Sequence, residues 1–210
     1  MSWSAAASLA TAFATFVLAI ATFVAVRAAN RSARIAEYAM QIGIRPLLMP
    51  SRIEDPVQKV MWPDEHWVQL PGGGATVEES DDGIMLTISV SNSGSGIALI
   101  QGWNTMLGDI RAHDPGVPPE RFRPQLRDLY IAGHDIGFWQ GALRDPADPE
   151  FAAVRASVRE RRLFGVELLY SDHEGGQRAI SRFMLAPTDK GWLSSVTRHW
   201  QLDRPDPRHT

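Results

Sequence analysis

Charged side chains are missing from Met1 to Val26, MSWSAAASLATAFATFVLAIATFVAV, and no other stretch of the chain is so uniformly apolar. A helix over Ala5–Val26 would be about 33 Å long at about 1.5 Å per residue, enough for a hydrocarbon core of about 30 Å. Leu9, Phe13, Phe16, Val17, Leu18, Ile20, Phe23, Val24 and Val26 each favour insertion by ~0.3–0.6 kcal/mol near a helix centre, and no charge opposes the sum. Trp3 falls where a headgroup-level aromatic sits. A cleaved signal peptide would begin with basic residues and carry a shorter apolar core, and Arg27 occupies the only small-residue cleavage site. A buried soluble helix or a surface-lying one would show a polar face. The segment therefore reads as one transmembrane anchor.

The helical period continues through RAANRSARIAEYAMQIG, where Ala28, Ile35, Tyr38 and Ile42 fall near one face. Gly43 reads as its C-cap, and Pro46 forces Arg45 out of helical geometry. Past Pro46 the pattern changes to alternation. In IMLTISVSN, Ile84, Leu86, Ile88 and Val90 point one way while Met85, Thr87, Ser89 and Ser91 point the other, which predicts a half-buried strand. The loop SNSGSG follows, with Asn92 placed to close an Asx turn and Gly94 and Gly96 to supply positive φ. With IALIQGWNTML behind it, strand, loop and strand read as one unit.

LFGVELLY carries Phe164, Val166, Leu168 and Tyr170 on one face, and with SDHEGG and QRAISRFML it predicts a hairpin. WLSSVTRHW alternates through Trp192, Val196 and Trp200, while RPLLMPSRI, HWVQL, RDLYIAG and DIGFWQ are weaker strand candidates. One helix interrupts, with Asp148 as N-cap, Pro149 at its first position and Glu150 in its first turn, running FAAVRASVRERR. Seven or more short strands between Gly, Pro, Asn and Asp predict a mainly β fold, an antiparallel β-sandwich with one short inserted helix. A small barrel is the runner-up. The expected divisions are a tail and transmembrane helix over 1–26, a juxtamembrane helix over 27–45, the sandwich over 46–203 and a tail over 204–210.

LTISVSNSGSGIA resembles the strand, Asn-x-Gly-x-Gly and following Ala of uncharacterised bacterial single-pass membrane proteins, in which one anchor helix precedes an Arg-Pro step. VELLYSDHEGG is similar to a second signature of that group, an aromatic-then-Asp strand end with a Gly turn. The likeness runs in order through most of the chain. It departs at Ile97, where the group usually has Pro before the Ala. The resemblance implies an immunoglobulin-like sandwich and no catalytic activity.

Once the anchor is set aside, what remains of the 210 residues has the size of one domain, and 44% hydrophobic with 21% charged residues is ordinary for a folded one. A net charge of −3 gives no electrostatic footprint for nucleic acid. Cysteine is absent, which excludes disulfides and thiolate metal sites. Arg27, Arg31 and Arg34 follow the span at once, and the positive-inside tendency then places the C-terminal domain in the cytoplasm, below a cell (inner) membrane. Ala6, Ala10 and Ala14, and Ala7, Thr11, Thr15 and Ala19, have the small-xxx-small spacing of self-associating helices.

Motifs for chemistry are weak. SNSGSG opens a strand rather than a helix and is followed by no lysine, so it is a turn and not a phosphate loop. Gly94-Ser95-Gly96 lacks the spacing of a nucleophile elbow. His66, His113, His134, His173, His199 and His209 show no zinc spacing. Asp172-His173-Glu174, His134-Asp135 and the acidic run through Glu78, Glu79, Asp81 and Asp82 read as solvated turns, and Pro71–Gly74 as a flexible connector. Trp192 and Trp200 read as core. Trp62 and Trp67 flank a loop of Pro63, Asp64 and Glu65 and are the best candidates for an exposed binding face.

No catalytic, cofactor-binding or metal residue is expected, and no cofactor. The expected partners are the lipid bilayer and a protein bound through a sheet edge or loop face, or self-association through the membrane helix. An extracytoplasmic ligand- or glycan-binding domain is the alternative in the reverse orientation.

Overall fold

The computed structural model describes residues 3–81, 83–108 and 116–204. The readings made of Asp82, His113 and His209, and of the tail beyond Arg204, lie outside the described residues. So do those on the side chains of Ala6 and Ile42. The chain divides into two compact units, 1–43 and 44–210.

The first unit is a single helix, α1 (Trp3–Gly43). It runs without a break through both segments read as helical. Its stretch Ala7–Met40 contains a window long and apolar enough, by length and composition, to cross a membrane. The hydroxyls of Thr11, Thr15 and Thr22 donate to carbonyls four residues back, at 2.8–3.0 Å. Each of these hydroxyls is thereby satisfied within the helix itself.

The second unit is mainly β. Its elements are β1 (Leu48–Pro50), β2 (Gln58–Met61), β3 (Trp67–Leu70), β4 (Gly74–Ser80), β5 (Gly83–Asn92), β6 (Ala98–Met106), β7 (Arg123–Ile131), β8 (Ile136–Leu143), α2 (Pro149–Arg159), β9 (Phe164–Ser171), β10 (Ala179–Thr188) and β11 (Gly191–Gln201). All recorded pairings are antiparallel. Nine strands form one sheet in the order β1-β5-β4-β11-β10-β9-β6-β7, with β8 on the other side of β5, and β2-β3 form a separate hairpin. The sheet curls into a half-barrel. Its two ends, β7 and β8, are joined by only Ala132–Asp135, so the curl brings them side by side.

The concave face holds the main core. Ile84, Leu86, Ile88 and Val90 of β5 meet Trp103, Trp139, Phe164, Val166, Leu168 and Phe183 there. α2 adds Phe151 and Val154 to the same cluster. It starts as its residues dictate, with Asp148 accepting from the Glu150 N–H at 2.9 Å and Pro149 at the first position. Arg155 and Arg159 tie it to β4 through Glu79.

Strand β5 is not half-buried. Met85, Thr87 and Ser89 on its other face are as hidden as the apolar row, because the hairpin β2-β3 lies over them. Val60, Trp62, Val68 and Leu70 of that hairpin segment pack on Met85 in a second cluster. A third cluster, Phe122, Leu169 and Ile180 with Val117, Trp200 and Leu202 against it, covers the outer face of β9 and β10. Beneath it Glu167 and Arg182 form a fully buried ion pair at 2.8 Å, and the Arg182 guanidinium lies 5.5 Å from the Trp200 ring centre. Trp192 is core as expected and Trp200 is half-buried.

Strands β5 and β6 do not pair with each other, so the glycine loop between them is a crossover rather than a hairpin turn. Asn92 does close its turn, accepting from the Gly94 N–H at 3.0 Å. Gly94 and Gly96, however, are not at positive φ. They are glycine because backbone passes over them. A Cβ at Gly94 would overlap the Arg45 carbonyl oxygen, and one at Gly96 the Ile44 carbonyl. Pro71–Gly74 is no flexible connector either: Gly72, Gly73 and Gly74 are buried, the Gly73 N–H donates to Ser51 Oγ at 2.9 Å, and Ser194 N–H to the Gly73 carbonyl at 2.9 Å. The β9-β10 hairpin forms as read, with Tyr170 opposite Ala179. Its Asp172 is buried rather than solvated, because its Oδ1 accepts from the Gly176 N–H at 2.8 Å. In the acidic run, Glu78 and Glu79 belong to β4 itself rather than to a turn.

Candidate functional site

Strands β7 and β8 share a short link yet carry no ladder between them. Each therefore has one partnered edge and one edge facing the seam. Near the link the seam is tight. At the far end it opens into a groove of about 610 Å³, lined from β7 by Arg123–Arg127 and from β8 by Gln140–Leu143. Trp103 reaches it from β6, Trp62 and Pro63 come from the β2-β3 hairpin, and Arg144, Asp145 and Asp148 from the loop before α2. This volume falls within the range of small-ligand clefts.

A bulge keeps the seam open. Ile100 faces Leu129 and Gly102 faces Pro124, so Gln125–Asp128 of β7 stand opposite Gln101 alone. Extra residues in one strand bend it and break its pairing. Here they throw Leu126 out to 97% exposure on the rim of the groove. One residue of the bulge turns inward. Gln125 donates from Nε2 to the Gln140 carbonyl at 3.1 Å, and its Oε1 accepts from Trp139 Nε1 at 3.1 Å. A single amide thus crosses the seam where a ladder would run.

The charges of the groove fall into two sets. Arg123 is occupied: it donates to Asp148 Oδ2 at 2.7 Å and Glu150 Oε2 at 2.9 Å, and its guanidinium lies 5.2 Å from the Trp103 ring centre. Glu150 also accepts from Thr105. Partial burial works against the Arg123 charge, but the Asp148 and Glu150 hydrogen bonds outweigh it and raise its pKa above the ordinary arginine value. Arg127 and Arg144 form no ion pair among the described residues and are exposed. Asp145 spends an oxygen on the Ala147 N–H at 2.8 Å. Asp145 keeps its negative charge, so the unpaired groups at the rim are two arginines against one carboxylate, a net positive balance.

Of the two tryptophans singled out in the sequence, the structure takes Trp62 into the groove wall and leaves Trp67 outside it. Trp62 is only 3% exposed, contrary to expectation, while Trp67 is 63% exposed. The register explains the difference, because Trp67 sits opposite Met61 rather than Trp62. Alternation then sends Met61 and Trp67 outward together and Trp62 inward. The Trp62 indole stacks parallel to the His66 ring, with centres 6.4 Å apart. His66 bridges two carboxylates, Asp64 at 2.6 Å and Glu78 at 3.0 Å, which tie the hairpin loop to β4. The Asp64 hydrogen bond, with Glu78 behind it, raises the His66 pKa despite partial desolvation.

Sequence reasoning missed Arg123, Gln125, Leu126, Arg127, Gln140, Ala142 and Arg144. The available signal was PQLRD running into the strand candidate RDLYIAG: a proline, and one apolar residue alone among polar neighbours.

A second polar cluster is structural. Tyr170 OH lies 3.0 Å from Ser181 Oγ and 3.1 Å from His199 Nδ1. Both hydroxyls also grip Leu48, Tyr170 accepting from its N–H at 3.1 Å and Ser181 donating to its carbonyl at 2.9 Å. Burial pushes the Tyr170 phenol up to about 12. The cluster thus pins β1 and opens on none of the groove. Among the described residues no three His, Asp or Glu side chains converge as metal ligands. Compared with known protein families and with curated proteins, the chain matches no family model and no protein among them.

Proposed function

We propose that this chain is a membrane-anchored, non-catalytic interaction module whose half-barrel domain takes hold of a protein partner along the seam between β7 and β8. The observation that carries this reading is the groove between two sheet edges that have no partner strand. Open edges are templates for another chain, and natural proteins cover or blunt those they do not use. The groove walls are aromatic, apolar and cationic, the composition of protein-binding surfaces. None of its lining residues pairs a nucleophile with a base.

The anchor part of the proposal rests on α1, with the domain on the cytoplasmic side of a cell membrane because Arg27, Arg31 and Arg34 follow the span. Self-association through Ala7, Thr11, Thr15 and Ala19 belongs to the same proposal, as does kinship to immunoglobulin-like domains, which the two sequence signatures support. Nucleic acid is left out as a partner on the grounds of charge.

A photo-crosslinking amino acid at Leu126, in full-length chain expressed in cells, tests the seam. Leu126 should give discrete protein adducts and the exposed Lys190, on another turn, none. Equal adducts at both, or none at Leu126, would overturn the reading. A topology reporter fused after Thr210 tests the sidedness, and a signal from outside the membrane would favour the ligand- or glycan-binding alternative.

A further inference from the structure

We infer that the segment held in the seam is an extended peptide, adding as a strand to the free edge of β8 and carrying a large apolar residue beside an acidic one. This rests on the seam reading and names the chemistry of its partner.

The backbone supplies the first argument. Gln140 directs its carbonyl into the seam, where Gln125 takes it. In a strand the N–H and C=O of one residue share an edge, and residues two apart repeat it. Ala142 therefore presents its N–H and C=O on the same edge as Gln140, beyond the reach of Gln125, and it lines the groove. Its other neighbour, β5, pairs Met85 with Ala142 across the opposite edge. Gln140–Leu143 is about 13 Å of strand at about 3.3 Å per residue. That length offers the alternating donors and acceptors that strand addition uses. A helix keeps its own backbone bonds and gains nothing from this edge.

The side chains supply the second. Trp103 forms part of the groove floor, since Gly141 lets β8 come close: a Cβ there would lie 3.0 Å from the Trp103 ring. Trp62, Pro63, Pro124 and Leu126 complete an apolar wall. Leu126 gains nothing from its 97% exposure in the isolated chain, and a partner side chain seated between it and Trp103 would remove that cost. Charge supplies the third. Arg123 is consumed by Asp148 and Glu150, whereas Arg127 and Arg144 are exposed with no ion pair among the described residues. Arg127 lies within β7 and Arg144 directly after β8, so the two line the groove from its two sides and a carboxylate beside the apolar residue meets positive charge from either.

The test uses full-length chain in detergent micelles and fluorescein-labelled heptapeptides with the core Val-Phe-Glu-Val-Glu, read by fluorescence anisotropy. The acidic peptide should bind about tenfold or more tightly than the same peptide with Lys for Glu, and its backbone N-methylated form should not bind. Binding should slow hydrogen exchange at the Ala142 amide. Arg127→Glu with Arg144→Glu, both on the surface, should reverse the charge preference while the fold stays intact. Ala142→Pro should abolish binding of either peptide.

Equal binding of acidic and basic peptides, or retained binding after N-methylation, would overturn the inference. Leu126 adducts in cells without any peptide binding would also sink it, leaving the seam itself as a site for a folded partner. Absence of both adducts and binding would remove the seam reading as well.

Discussion

Replacing Asn92 by alanine should cost the domain about 3 kcal/mol, more than any single surface ion pair could. The side chain is 1% exposed and makes four hydrogen bonds to backbone. Its Oδ1 accepts from Leu47 N–H and Gly94 N–H, both at 3.0 Å. Its Nδ2 donates to the Gly96 carbonyl at 2.6 Å and the Ile131 carbonyl at 3.1 Å. It therefore ties the approach to β1, the crossover loop and the end of β7 to one point. A net intramolecular hydrogen bond contributes about 1 kcal/mol, and an orphaned buried group costs about 1–3 kcal/mol. The Leu47 and Gly94 amides are half-buried and regain water, while the Gly96 and Ile131 carbonyls are not so free. Summing these, about 3 kcal/mol is lost, or about 6–12 °C in Tm at about 2–4 °C per kcal/mol for a domain of this size. Asn92→Asp should be at least as damaging, since it keeps the two acceptor bonds but sets a carboxylate against two carbonyls. Thermal unfolding of detergent-solubilised full chain, followed by near-ultraviolet circular dichroism, measures both. A Tm for Asn92→Ala within about 2 °C of the parent would refute the reasoning.

Three other outcomes are expected. His66, held up by Asp64 and Glu78, has a folded pKa above its unfolded one, so the tie it makes is complete at low pH and is lost as pH rises through the folded pKa. Amides of β2 and β3, corrected for intrinsic rates, should exchange faster at about pH 9 than at about pH 6, and His66→Gln should remove that difference. Glu79 is brought down to about 2 by Arg159 and Arg155, so its grip on α2 is present above the unfolded carboxylate pKa and lost only as pH falls through about 2. Helical signal from α2 that collapses at about pH 4, alike in the parent and in Glu79→Gln, would contradict this. Tyr170→Phe removes the acceptor for the buried Leu48 N–H, and should cost about 1–2 kcal/mol in an equilibrium urea titration.

How much of this was legible in the sequence depends on the range of the interaction. The long apolar helix α1, the Asp148-Pro149-Glu150 helix start and the β9-β10 hairpin depend on residues a few positions apart, and the pattern holds them. Strand β5 was recognised but its burial was not, because what covers Met85 and Thr87 is a hairpin that begins some 25 residues earlier in the chain. A polar alternate row signals solvent only when nothing polar or apolar is laid upon it, and here Gln58 reaches Ser89 Oγ at 2.8 Å from above. Gly94 and Gly96 were assigned the wrong cause for the same reason. Backbone crossing from Ile44 and Arg45 leaves no trace in a local window. The groove was the least legible feature, since it needs the curl of nine strands to bring Arg123 and Ala142 together.

Gln125 tests whether the seam is a built opening or a closure that nearly formed. A barrel would close if β7 and β8 shared a ladder, and much of the sheet is covered elsewhere: α2 on the concave side, the β2-β3 hairpin over β5, and the Phe122 and Trp200 cluster over β9 and β10. At the seam one side chain replaces the ladder. Trp139 is fully buried, and its indole N–H has Gln125 Oε1 as its partner. Gln125→Ala therefore strands that donor and frees the Gln140 carbonyl, at a cost of about 2 kcal/mol, or about 4–8 °C in Tm. Leu126→Ala, one residue on, removes a side chain that packs on nothing and should shift stability by no more than about 0.5 kcal/mol. The neighbours should separate in binding the other way, with Leu126→Ala weakening capture at the seam and leaving the fold untouched. If both substitutions lowered the Tm equally, Leu126 would be part of the fold, and the groove rim would not be a surface kept open for a partner.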